Sequence, residues 1–141
     1  MKILINDFLN KKGIEYTSAI KDISDVLLKK PNKNGMFITT GFNGKKEPQK
    51  LSLLILKILS DISFYILKSV EFSRIILVGG ETAFSILSSF KVNNIKILGR
   101  IKDGITYGVI SDGLLSGKEV LIKGGSVGDA NSIINMVNFK F

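Results

Sequence analysis

Cysteine and histidine are both absent from this chain. Without cysteine there is no disulfide framework, no thiolate zinc site, no iron–sulfur cluster and no thiol nucleophile. Without histidine there is no Ser–His–Asp relay and no side chain that ordinarily titrates near neutrality. Tryptophan is missing too, and only two of the 20 basic residues are arginines, Arg74 and Arg100. Chemistry in such a chain rests on carboxylates, lysines, hydroxyls, backbone amides or a bound magnesium ion. A membrane span needs about 20 largely uncharged apolar residues. The most apolar stretch, Leu51–Val70, is interrupted by Lys57, Asp61 and Lys68. Met1–Asn10 lacks the small-residue cleavage pattern of a signal peptide. A cytoplasmic protein without membrane contact is expected.

What is present suits one α/β domain. The chain has 141 residues, 45% of them hydrophobic and only 2 of them proline, a length at which single domains are common and bury a sizeable core. The formal charge is +8. Lys21, Lys29, Lys30, Lys33, Lys45, Lys46 and Lys50 flank the most polar stretch. Basic residues are not interleaved with aromatics that could stack bases, so nucleic acid is not the expected partner. A solvated lysine face, or attraction of a phosphorylated small molecule, fits the charge better.

Periodicity and punctuation give the element order. Ile3–Leu9 reads as a short helix or a strand remnant, and Ile14–Thr17 as a short strand. Asp22–Lys30 reads as a helix with Ile23, Val26 and Leu27 on one stripe, stopped by Pro31. Gly35–Thr40 is predicted as a buried strand and Ser52–Val70 as the longest helix, packed on two sides. Arg74–Val78 is continuously apolar, as a parallel strand covered on both faces must be. A helix is predicted over Glu81–Phe90, strands over Ile95–Leu98, Thr106–Ile110 and Glu119–Ile122, and a last helix over Asp129–Val137. The order predicts a three-layer α/β fold with a mostly parallel sheet, helices on both faces and a small β-rich insert.

Two segments carry candidate chemistry. In Val78-Gly79-Gly80-Glu81-Thr82-Ala83 a strand ends in two glycines and a helix begins at once. Glycine tolerates positive φ and lets a ligand approach the backbone, and a helix start presents unpaired amides suited to phosphate. Thr82 adds a hydroxyl, whereas Glu81 brings a negative charge that stabilises an empty helix start and repels phosphate. In Ile122-Lys123-Gly124-Gly125-Ser126-Val127-Gly128-Asp129 a lysine at a strand end precedes Gly124, Gly125 and Gly128. The bland alternative for Lys123 is a surface lysine after an edge strand. Neither segment is a P-loop or a Gly-x-Gly-x-x-Gly fingerprint. Parallel sheets bind ligands at the carboxyl ends of their strands, so two such loops in one small domain suggest one crevice.

These motifs resemble a known family. Gly79-Gly80-Glu81-Thr82-Ala83, the segment Gly99 with Asp103-Gly104-Ile105-Thr106-Tyr107-Gly108, and Lys123 to Asp129 are similar, in order and spacing, to the C-terminal nucleotide-binding domain of the four-carbon acid sugar kinases, which phosphorylate threonate, erythronate and 3-oxo-tetronate. The resemblance implies a bound ATP or ADP with accompanying Mg2+. It implies that Gly79, Gly80, Thr82, Lys123, Gly124, Gly125 and Gly128 are the nucleotide-binding residues, and it supplies no catalytic base within this chain. Val127 stands where the family usually has phenylalanine, and Thr106 where proline is common.

Family members also have an N-terminal sugar-binding domain, which nothing in this sequence resembles. The expectation is therefore a single nucleotide-binding-like domain over residues 1–141, shortened at its N-terminus and not turning over alone. It would act as a homodimer or with a separately encoded sugar-binding chain, with apolar surface exposed near Ile3–Leu9 and on Ser52–Val70. Two other readings stand beside this one: a non-catalytic remnant, and a small α/β protein for another phosphorylated metabolite.

Overall fold

The computed structural model describes residues 14–29, 38, 49–102, 104–129 and 131–140. The chain divides into two compact units, Met1–Ser69 and Val70–Phe141. The first unit contains α1 (Ile14–Leu28) and α2 (Gln49–Ser69). Along α1, Tyr16, Ala19, Ile20 and Ile23 recur at i, i+3, i+4 and i+7, which makes one apolar face. Ala19 and Ile20 pack with Ile58, Ile62 and Ile66 of α2, flanked by Tyr16, Ile23, Leu28 and Leu54. Two side-chain bonds add direction to this non-directional packing. The Tyr16 hydroxyl donates to Asp61 Oδ2 at 2.8 Å, and the Tyr65 hydroxyl donates to Asp25 Oδ1 at 3.1 Å. Burial, reinforced by the Asp61 acceptor, raises the Tyr16 phenol above its ordinary pKa and keeps it a donor.

Ile14–Thr17, expected as a strand, is the first turn of α1, and the helix expected over Asp22–Lys30 is its later part. β-branched and aromatic residues favour strands only weakly, and burial of a helical stripe against α2 overrides that preference. The strand expected over Gly35–Thr40 lies outside the described residues except for Ile38, as does the element expected over Ile3–Leu9. On α2 the large hydrophobic residue left exposed is Leu53. No helix among the described residues is long and apolar enough to cross a membrane.

The second unit holds β1 (Arg74–Val78), α3 (Gly80–Ser89), β2 (Ile95–Lys102), β3 (Ile105–Ile110), a 3-10 turn (Gly113–Leu115), β4 (Glu119–Lys123) and α4 (Ser132–Asn138). The expected α/β class and β-rich insert are both observed. The strands form one sheet in the order β1-β4-β3-β2. β1 and β4 are parallel, with Arg74 opposite Glu119 and Val78 opposite Lys123. The β4–β3 and β3–β2 pairs are antiparallel, so the described sheet is mixed rather than mostly parallel. The cause is local: β2 ends at Lys102 and β3 begins at Ile105, a connection too short for parallel pairing.

Strand alternation divides the core. Ile76, Leu121, Tyr107 and Ile105 share a face on which Met136 of α4 and Phe139 pack. Ile75, Leu77 and Val120 are buried on the opposite face. α3 packs on β1 and β4 and buries Ala83, Ile86 and Leu87. The chain end is tied down by Arg74, whose Nε donates to Glu119 Oε2 at 2.8 Å and whose guanidinium also donates to the Phe139 carbonyl.

At the opposite end of the sheet from the glycine loops, Asp112 organises the turn before β2. Its Oδ1 accepts the amides of Asn93 and Asn94 at 2.7 and 3.2 Å, and its Oδ2 accepts from Asn94 Nδ2 at 2.8 Å. The Asn93 amide first, then the Asn94 side chain, hold the carboxyl below its ordinary pKa. A depressed native pKa means that this stabilisation is complete above the unfolded-state value and is lost as pH falls through the native one. Asp112→Asn should therefore be less stable than the wild type at neutral pH, and the gap should close on acidification from about pH 5 to pH 2. Urea midpoints across that range check it; a gap independent of pH would show that the charge contributes nothing.

Candidate functional site

The glycine loops lie at the carboxyl ends of β1 and β4, which are neighbours in the sheet. Parallel pairing of Val78 with Lys123 brings the two exits together. The Gly79 amide donates to the Lys123 carbonyl at 2.9 Å, extending the ladder by one bond. A Cβ built on Gly125 would lie 3.7 Å from Gly79 Cα, so the loops touch through backbone alone. Beyond that contact the chain turns into α3 with Gly79 as its N-cap, at φ 95° and ψ 127°. A side chain is strained at that φ, which accounts for glycine there. Gly79 then accepts the Ala83 amide through its carbonyl at 2.9 Å, closing the first turn.

Backbone amides are the main donors of the site. Those of Gly80, Glu81 and Thr82 open α3, and those of Gly125, Ser126 and Gly128 lie in the second loop; none donates to another described residue. Space accompanies them, since a Cβ on Gly80 would meet nothing within 4 Å. The Thr82 side chain is half-buried beside Gly79, its Oγ1 3.5 Å from a Cβ built there. Glu81 is exposed. Amides left without described partners are chemically suited to oxyanions, although the Glu81 carboxylate belongs to the same helix start.

Lys123 is not the surface lysine of the bland reading. β4 lies between β1 and β3, and Lys123 is only 7% exposed. Its stem runs beneath the second loop, where a Cβ on Gly128 would come within 3.0 Å of Lys123 Cε. Its Nζ donates to the Gly124 carbonyl at 2.9 Å. None of the ion pairs among the described residues includes it. A lysine buried with one carbonyl partner and no carboxylate among the described residues would gain from an anion at the loop.

Further residues shape the site without having been singled out for it. Gly104, in the β2–β3 turn, accepts the Gly124 amide at 3.0 Å. Val127 packs against Gly104, within 2.5 Å of where a Cβ would stand, so only glycine fits beside it. Val127 thus contacts the hairpin turn despite being smaller than the phenylalanine of the resembling family. Asp129 fixes the loop's far end, accepting from the Asn131 amide at 3.0 Å and pairing with Lys102 Nζ at 2.8 Å. Lys102 first, then Ser132, keeps its carboxyl below the ordinary pKa. The motif spacing marked Gly104 and Asp129, but the approach of Lys102 across the sheet left no sequence signal.

Solved structures share this fold. A Salmonella typhimurium protein provisionally described as a tRNA synthase superposes with a TM-score of 0.75 at 15% identity, over 96% of this chain and 34% of its own. A DUF1537 protein from Bordetella bronchiseptica, solved with citrate as a domain-swapped dimer, gives 0.68 at 12% identity over 97% of this chain and 33% of its own. A DUF1537-family protein from Haemophilus influenzae gives 0.63 at 13% identity, over 92% and 31%. The chain thus spans about a third of the length of these relatives. No curated protein matches it. The match that extends across most of the chain, from residue 14 to residue 133, is to the nucleotide-binding C-terminal domain. It includes both glycine loops and the hairpin turn between them, and it bears out the resemblance drawn from those motifs: the chain belongs to the family of nucleotide-binding C-terminal domains.

Proposed function

We propose that this domain holds ATP or ADP by its phosphates where the two glycine loops meet, for phosphoryl transfer to a four-carbon sugar acid held by a sugar-binding domain. The observation that carries this reading is the convergence itself: at adjacent strand ends lie six amides that donate to no other described residue and a buried lysine with no carboxylate partner among the described residues. Gly79, Gly80, Gly124, Gly125 and Gly128 allow phosphate oxygens close to the backbone. The Thr82 hydroxyl offers one further donor, and Lys123 offsets phosphate charge. Mg2+ would accompany the nucleotide, where it supplies charge neutralisation during transfer. Transfer asks the domain mainly to position phosphates, a task amides perform without changing protonation.

Titration calorimetry with ADP, with and without magnesium, tests the reading on the folded chain. Saturable binding with a dissociation constant in roughly the micromolar to millimolar range is expected for residues 1–141 alone. Residues 1–141 alone should release no ADP from ATP with threonate or erythronate above background. Absence of heat and of amide chemical-shift changes at millimolar ADP would favour the remnant reading.

A further inference from the structure

The second glycine loop is fastened at both ends to the β2–β3 hairpin, which contributes none of the amide donors described above. At its start the Gly124 amide donates to the Gly104 carbonyl at 3.0 Å. In its middle Val127 presses on Gly104. At its end Asp129 reaches Lys102, the last residue of β2, at 2.8 Å. The same carboxylate accepts the Ser132 hydroxyl at 3.1 Å, and the Asp129 amide donates to that hydroxyl at 2.8 Å. Gly125, Ser126 and Gly128, whose amides donate to no other described residue, lie between these fastenings.

We infer that Asp129, held by Lys102, is a positioning residue that sets the shape of the anion-binding loop and so raises nucleotide affinity without touching the nucleotide. This rests on the reading of the loop as a phosphate cradle. It also opposes simple electrostatics. A carboxylate beside an anion site is a liability, so a bystander Asp129 would weaken binding and its neutralisation would tighten it. A fastening Asp129 has the opposite sign. The side chains of the pair are half exposed, 57% for Lys102 and 50% for Asp129, which keeps the expected effect modest.

The test is a double-mutant cycle on the full chain with ADP as probe. Asp129→Asn keeps the acceptor for Asn131 and Ser132 but removes the charge, and should weaken ADP binding about threefold. Lys102→Met should weaken it similarly, and the double variant should be no weaker than either single one, because both remove one interaction. Tighter binding by Asp129→Asn, or effects of opposite sign that cancel in the double variant, would overturn the inference and leave a bystander charge. Amide exchange at Gly124 supplies a second readout that needs no ligand. Exchange there should quicken about threefold in both single variants, with circular dichroism unchanged. If the wild type binds no ADP, the nucleotide reading fails while exchange still decides the fastening; unchanged exchange in both variants would refute it.

Discussion

Gly125→Val should abolish measurable ADP binding and leave the fold intact, whereas Gly128→Ala should lower the melting temperature. The two glycines are three residues apart in one loop, and their surroundings differ. At Gly125 the backbone is in an ordinary conformation and a Cβ would find only Gly79 Cα at 3.7 Å, an ordinary contact. Valine there costs the native state little and fills the meeting point of the two loops. Both sets of amides would then be denied to a phosphate. Charge-assisted hydrogen bonds are worth about 1.5–3 kcal/mol each, so the expected loss is about a hundredfold or more in affinity. Gly128 has φ 96°, and a Cβ would collide with Ser132 Oγ while standing 3.0 Å from Lys123 Cε. Strain of this kind costs about 1–3 kcal/mol, or roughly 5–10 °C in a chain this size. Calorimetry and thermal circular dichroism on both variants separate the outcomes. Full ADP affinity in folded Gly125→Val would remove the phosphate from this crevice.

What the sequence shows of such a site is its local part. The run Arg74–Val78 followed by two glycines identifies β1, the turn and α3 to within a residue, because strand, breaker and helix stripe follow one another directly in the sequence. The hairpin glycine Gly104 is equally plain. Non-local facts are not. Ile14, Tyr16 and Thr17 look strand-forming until α2 provides a buried face for their helix. Asp129, expected as the first residue of the last helix, stands before it, because its carboxylate is taken by Lys102 and by Ser132. Whether Lys123 ends an edge strand or an inner one depends on β4 inserting between β1 and β3, which no local pattern encodes. The candidate residues could be named from spacing, but the burial that gives one of them its electrostatic character could not.

That burial leads to the second large effect. Lys123→Met should weaken ADP binding about tenfold to a hundredfold, the loss of a charge-assisted contact, while the fold stays as stable or becomes more so. Methionine fills nearly the same volume beneath the loop and carries no charge. In the native protein Lys123 is 7% exposed, and its ammonium has one carbonyl acceptor and no ion pair among the described residues. Removing the charge relieves whatever burial costs it and forfeits one hydrogen bond of about 1–3 kcal/mol. The Gly124 carbonyl is not left bare, since it also accepts the Val127 amide at 3.4 Å. A residue that burdens the fold and strengthens anion binding is a functional residue by energetics rather than by position. Urea unfolding and ADP calorimetry on the same preparation read the two quantities side by side. Should Lys123→Met unfold more easily than the wild type while binding ADP equally well, the lysine would be a strut for the Gly124 carbonyl. The positive charge attracting phosphate would then have to be sought outside this loop.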